Sequence, residues 1–271
     1  MIGCRCALAF LGLVAALTSG CASPRAATEP GPERPQLFLL AGQSNMAGRG
    51  VLEAEDRVPH PRVLVLDRND AWVPAVEPLH FDKPIAGVGP GRAFGIAVAE
   101  ALPEARIGLI PAAVGGSPIT AWAPGVRYAE TGAYPYDDAI RRARAAMRDG
   151  KLDAILWHQG ESDANPQAAP EYARRLRALV ERFREDLGDP TLPVLVGQLG
   201  RFEGKPWDAP HLQVDAAHRE LPSVLPNVAF VSADGLAHKG DSLHFSAAAA
   251  RTLGRRYAEE YLRLARAPAG R

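Results

Sequence analysis

Gln36-Leu-Phe-Leu-Leu-Ala-Gly-Gln-Ser-Asn-Met46 decides the reading of this chain. Leu37 to Ala41 is apolar, uncharged and too short for a helix, the pattern of a strand buried on both faces in a parallel sheet. It breaks into Gly42-Gln43-Ser44-Asn45, small or polar residues at a strand's carboxyl end, where open α/β sheets place their ligands. A helix starting there would aim its N–H groups at the same point and stabilise an oxyanion. Ser44 is therefore the candidate nucleophile, against the simpler alternative that it only caps a helix.

Further along, Val63 to Asp67, Arg106 to Val114, Leu152 to Trp157, Leu192 to Leu199 and Val228 to Ser232 read as strands. Between them, helices are predicted from Gly91 to about Leu102, over Asp137 to Arg148, Pro170 to Leu187 and Asp208 to Leu221, and from Ser246 to about Leu264. Pro170 stands at a first helical position and Gly188 at a C-terminal stop. Ala71 to Gly91, rich in Pro and Gly, reads as a long loop. The alternation predicts a three-layer α/β/α sandwich around a parallel sheet of about five strands. The polar segments after the first, third and fourth strands then emerge at one edge.

Composition narrows the function. The 271 residues carry 31 basic and 31 acidic side chains. That balance offers no electrostatic footprint for nucleic acid. All three cysteines, Cys4, Cys6 and Cys21, precede the domain, which excludes a disulfide, a thiol nucleophile or a cysteine metal site within it. Residues 1–21 have a basic Arg5, an apolar stretch from Ala7 to Leu17 and Leu17-Thr-Ser-Gly-Cys21, the pattern of a lipoprotein signal with Cys21 as the lipidated residue. The large apolar residue stands four places before Cys21 rather than three, and ordinary cleavage near Ala22 is the competing reading. Residues 22–35 read as a flexible tether and 36–266 as one domain. The chain is thus expected to be exported and held to a membrane by a lipid anchor alone.

A serine nucleophile needs a base, and the base an orienting acid. Asp241-Ser-Leu-His244 places a carboxylate three residues before an imidazole, within reach across one turn. Oxyanion donors are available from the Ser44 N–H, the Gly116 N–H in Gly115-Gly116, and the Gln159 side-chain amide. Gly160-Glu-Ser162-Asp-Ala164 approaches the Gly-x-Ser-x-Gly elbow but lacks its second glycine, which ranks Ser162 below Ser44. No two histidines lie at metal-ligand spacing on a helix.

Ala41-Gly-Gln-Ser-Asn-Met46, Gly115-Gly116-Ser117, His158-Gln-Gly-Glu-Ser-Asp163 and Asp241-Ser-Leu-His-Phe-Ser246, in that order, resemble the SGNH-type hydrolases. They look most like the sialate O-acetylesterase-like branch that includes acetylxylan esterases of carbohydrate esterase family six. The resemblance implies a serine esterase without metal or cofactor, acting on acetylated carbohydrate. It implies Ser44 as nucleophile, His244 as base and Asp241 as its acid, with Glu161 as support or substitute for Asp241. Ser44, Gly116 and Gln159 would hold the oxyanion, and Gln43, Asn45 and Arg92 would meet substrate. Trp72, Trp122, Tyr134, Tyr136 and Trp207 are loop aromatics available to stack on sugars. Two other readings stay open: a lipid or general ester hydrolase on the same scaffold, and a non-catalytic glycan-binding lipoprotein.

Overall fold

The computed structural model describes residues 1–3 and 34–266. Nearly all of the signal segment, Cys21 with its expected lipidation, and nearly all of the tether lie outside the described residues. Seven strands form one sheet: β1 (Gln36–Gly42), β2 (Val63–Leu66), β3 (Trp72–Pro74), β4 (Ile107–Pro111), β5 (Lys151–His158), β6 (Val194–Gly197) and β7 (Val228–Val231), in the order β3-β2-β4-β1-β5-β6-β7. All pairings are parallel except that of β3 with β2. The sheet is thus larger than the five strands expected. The unforeseen β3 is a three-residue edge strand inside the Pro/Gly-rich segment read as loop. Pro74 is tolerated there because an edge strand has a free side.

Among the described residues, six α-helices complete the layers: the single turn α1 (Ser44–Ala47), α2 (Pro90–Ala101), α3 (Pro135–Ala146), α4 (Ala169–Leu187), α5 (Ala209–Val224) and α6 (Ala247–Arg266). Strand alternation sorts the core. Leu37, Leu39 and Ala41 face a cluster with α3, α4 and α5, while Phe38 and Leu40 face a second cluster with α2 and α6. Phe38 meets Phe94 and Tyr261 edge to face, with ring centroids 4.8 and 4.9 Å away. Burying such a ring stabilises the fold by roughly 1.5–3 kcal/mol. Trp122 and Tyr136, considered above for sugar stacking, are instead core residues on the α3–α5 face.

The helix punctuation follows the sequence. Pro170 lies in the first turn of α4, and Gly188 ends it in the left-handed conformation at φ 75°. No helix among the described residues is long and apolar enough to cross a membrane.

Register places the site. β1 is central, with Leu40 beside Pro111 of β4 and Gly42 beside His158 of β5. The segments that follow these three strands therefore leave the sheet together, as the sequence pattern required.

Candidate active site

Gly42 makes the turn that leads into Ser44. Its φ is +127°, and a Cβ there would collide with the His158 carbonyl, so only glycine lets β1 end this close to β5. The Gln43 N–H donates to that same carbonyl at 2.9 Å, and α1 begins one residue later. The Ser44 N–H lies at the start of this turn and has no protein partner among the described residues.

Ser44 and His244, 200 residues apart, meet at 3.1 Å between Oγ and Nε2. His244 Nδ1 lies 2.7 Å from Asp241 Oδ2. Asp241 also accepts the Leu243 N–H at 3.0 Å and the His244 N–H at 2.8 Å through Oδ1. The Asp-x-x-His turn thus closes on its own carboxylate, with Ser242 at φ 51°. Partial burial works to raise the Asp241 carboxyl. The bonds from the His244 backbone and ring and from the Leu243 N–H outweigh it and hold the group well below the usual carboxylate range. An ionised Asp241 accepts a hydrogen bond from Nδ1–H, and that tautomer leaves the Nε2 lone pair to accept a hydrogen bond from the Ser44 hydroxyl.

Gly116 has φ +85°, and the position its Cβ would occupy lies 3.0 Å from the Tyr128 hydroxyl. Its N–H has no protein partner among the described residues. The preceding Gly115 N–H is held at 2.8 Å by Asp82, whose same oxygen pairs with the buried Arg49 at 2.7 Å. Asp82 and Arg49 set the conformation of this turn. Nothing in their local spacing announces it, because Asp82 stands in the loop-like segment and Arg49 just beyond α1.

Several sequence-predicted residues have other work. Gln159 is fully buried, and its amide donates to Asp163 Oδ2 at 2.5 Å, Gln43 Oε1 at 3.2 Å and the Ser117 carbonyl at 3.2 Å. These bonds occupy the Nε2 donors, so the expected oxyanion contact from Gln159 is corrected to a structural one. Gln43 is buried too, and its Oε1 also lies near the Gly160 and Ser162 N–H groups at 3.4 and 3.3 Å. Asn45 donates to Glu161 Oε1 at 2.6 Å and to the Leu243 carbonyl at 3.1 Å, and accepts the Phe245 N–H at 3.1 Å. Gln43 and Asn45 tie the turn that carries Ser44 to the segments after β5 and around His244. Arg92 is likewise a brace: it is buried and donates to the Ala75 and Val58 carbonyls.

Glu161 meets Asn45, and the carboxylate hydrogen-bonded to the His244 imidazole is that of Asp241. Burial pushes the Glu161 carboxyl up, against the lowering effect of the Asn45 bond. The rival Ser162 donates its hydroxyl to the Gly116 carbonyl at 2.8 Å and has no imidazole beside it. Sequence reasoning missed Asp163 and Tyr172. The first anchors Gln159 and the Ile119 N–H, and the second donates its hydroxyl toward both Gln159 oxygens. Both act through tertiary contacts that no short spacing encodes. Among the described residues, no three His, Cys, Asp or Glu side chains are placed to hold a metal ion.

The comparisons with known proteins agree on this architecture. A family profile described as carbohydrate esterase, sialic acid-specific acetylesterase, matches residues 34–263. A probable carbohydrate esterase of Arabidopsis thaliana is 34% identical over 266 residues, covering 86% of this chain and 96% of the relative. Its crystal structure superposes with a TM-score of 0.75, covering 85% of this chain and 98% of that one. The fold is shared with NanS, at a TM-score of 0.73 and 21% identity over 88% of this chain and 99% of that one. It is shared too with a carbohydrate acetylesterase from Xanthomonas citri, at 0.66 and 19% identity over 87% of this chain and 57% of that one. The chain belongs to the carbohydrate esterase family of sialic acid-specific acetylesterases.

Proposed function

We propose that this carbohydrate esterase removes O-acetyl groups from sugars through an acetyl-enzyme on Ser44. The observation that carries the reading is the hydrogen-bonded line from Ser44 Oγ through His244 to Asp241, at 3.1 and 2.7 Å. As Ser44 attacks the acetyl carbonyl, His244 Nε2 takes its proton, and Asp241 stabilises the resulting imidazolium. The carbonyl oxygen becomes an oxyanion, and the uncommitted N–H groups of Ser44 and Gly116 are the donors available to it. His244 then hands its proton to the sugar oxygen as the C–O bond breaks. Water, activated by the same imidazole, releases acetate from Ser44.

The cavities at this edge of the sheet combine apolar walls with a few charged side chains. One cavity of about 400 Å³ carries Arg68, Asp82 and Arg141, and another of about 210 Å³ carries Glu161 and Lys205. The test is acetate release from 9-O-acetyl-N-acetylneuraminic acid and acetylated xylan, beside hydrolysis of a 4-nitrophenyl octanoate control. Turnover of an acetylated sugar with little hydrolysis of the octanoate is expected. Preference for the octanoate would move the assignment to a lipid or general ester hydrolase. Glycan binding with no acetate release would make the chain a binding protein.

From the sequence of residues 1–21 we also propose export and anchoring through a lipidated Cys21. Radiolabelled palmitate should enter the full chain and not its Cys21→Ser variant.

A further inference from the structure

Ser44 and His244 stand on different segments, and no short stretch of chain sets the gap between them. The His244 turn is tied to its own loop by the Lys239 N–H on the His244 carbonyl at 2.9 Å and the Ser246 N–H on the Ala237 carbonyl at 3.0 Å. Its hydrogen bonds to α1, among the described residues, are the one between His244 and Ser44 and two made by Asn45. Asn45 directly follows Ser44 in the chain. Its Nδ2 donates to the Leu243 carbonyl at 3.1 Å, and its Oδ1 accepts the Phe245 N–H at 3.1 Å. These are the two neighbours of His244. One side-chain amide thus grips the backbone on both sides of the base, which fixes the rotation of the turn as well as its distance. Asn45 and Phe245 are buried, so losing these bonds leaves polar groups without solvent to replace them.

Two bonds of opposite sense require the amide to face one way. Turned over, it would set an N–H group against the Phe245 N–H and its oxygen against the Leu243 carbonyl. Glu161 enforces the direction. Its Oε1 accepts from Nδ2 at 2.6 Å, and an acceptor at that point suits the NH2 end of the amide and repels the oxygen. The neighbouring His158 gives Glu161 no ion pair. Its Nε2 lies 3.8 Å from Oε1, and burial pushes the ring down to about 3, which keeps it neutral. Glu161 therefore holds Asn45. It stands three residues after His158, the last residue of β5, so the amide is referenced to the sheet.

We propose that Asn45 and Glu161 are positioning residues for the reaction: the Asn45 amide, oriented by Glu161, keeps His244 within hydrogen-bond reach of Ser44. Both act through the base rather than on the ester. A misplacement of about 1 Å in such a constellation costs about 10²-fold in rate. This role rests on the serine esterase reading above.

The experiment measures kcat and KM per folded molecule for 4-nitrophenyl acetate and 9-O-acetyl-N-acetylneuraminic acid. The unmutated protein is compared with Asn45→Ala, Glu161→Ala and Glu161→Gln, and Asn45→Ala is also combined with His244→Ala. The expected result is a kcat lowered about 10²-fold in Asn45→Ala and about tenfold in Glu161→Ala, with KM within about twofold. Glu161→Gln keeps an acceptor for the Asn45 amide and should recover kcat to within about threefold. On the residual 4-nitrophenyl acetate activity of His244→Ala, adding Asn45→Ala should cost less than twofold, because a residue that acts through the base has nothing left to act on. Glu161→Ala leaves Asn45 in place and carries the test if Asn45→Ala does not fold. An unchanged kcat in the folded variants would overturn the role. So would a raised KM at full kcat, which would make Asn45 a substrate contact, or the same loss in the His244→Ala background. A Glu161→Gln as slow as Glu161→Ala would remove Glu161 from the device. Each of these leaves the esterase reading intact. No turnover of either ester by the folded, unmutated protein would remove the esterase reading and the positioning role with it.

Discussion

Asp241 shows how much depends on one carboxylate at the residue scale. It accepts two backbone N–H groups and the imidazole, so it is ionised throughout the neutral range. The stability this adds is present above its ordinary value of 3.8 and is lost as the pH falls through the lowered value. Asp241→Asn keeps the shape but offers an amide to Nδ1 and favours the wrong tautomer. Its kcat on an acetyl ester should fall by about 10³–10⁴ with the far-ultraviolet spectrum unchanged. A loss under about tenfold would mean that another acid, Glu161 first among them, orients the ring. Ser44, Asp241 and His244 could be picked out in the sequence because two of them are three residues apart and the third follows an unmistakable buried strand. The inward role of Gln159 could not be read that way. What captures its amide is Asp163, Gln43 and the Ser117 carbonyl, and only the folded chain brings all of these together.

At the scale of elements, glycines govern how closely backbones approach. A Cβ on Gly254 of α6 would collide with the Pro90 carbonyl of α2 and meet the Phe94 nitrogen at 2.9 Å. Both neighbours are backbone atoms and can give way only if the helices separate. Gly254→Ala is therefore expected to destabilise the protein by about 1–3 kcal/mol, the usual cost of overpacking. The loss would be read from the urea midpoint at unchanged slope. An unchanged midpoint would mean the α2–α6 contact is looser than the structure describes. The helices were the most readable elements, because α4 has Pro in its first turn and Gly at its end. β3 was hidden because three residues beside Pro74 carry too little pattern. Its place is set by pairing with β2 and by the Trp72 ring against Gly108.

At the scale of the whole molecule, a buried carboxyl makes stability depend on pH. Glu77 is buried, with its oxygens accepting the Leu79 and Gly89 N–H groups at 2.9 and 3.4 Å. Desolvation pushes it up from 4.5 to about 8 despite those bonds. A raised folded-state value means that its contribution is complete below 4.5 and is lost as the pH rises toward 8. Glu77→Gln has no such proton to lose. Between about pH 5 and about pH 9 its Tm should gain on that of the unmutated protein as the pH rises. Parallel curves would show that Glu77 ionises in the fold at no cost. The three-layer architecture was readable from the alternation of strands and helices, and the convergence of three polar strand ends followed from a parallel sheet. The two cavities were not, since each draws its walls from residues scattered over more than 60 positions of the chain.

The most direct test of the central claim compares acetate release from 9-O-acetyl-N-acetylneuraminic acid and acetylated xylan by the unmutated protein, Ser44→Ala and Ser162→Ala. Turnover should disappear in Ser44→Ala, by a factor of about 10⁴ or more, and persist in Ser162→Ala. Activity surviving in Ser44→Ala and lost in Ser162→Ala would contradict the relay through His244 and the mechanism built on it.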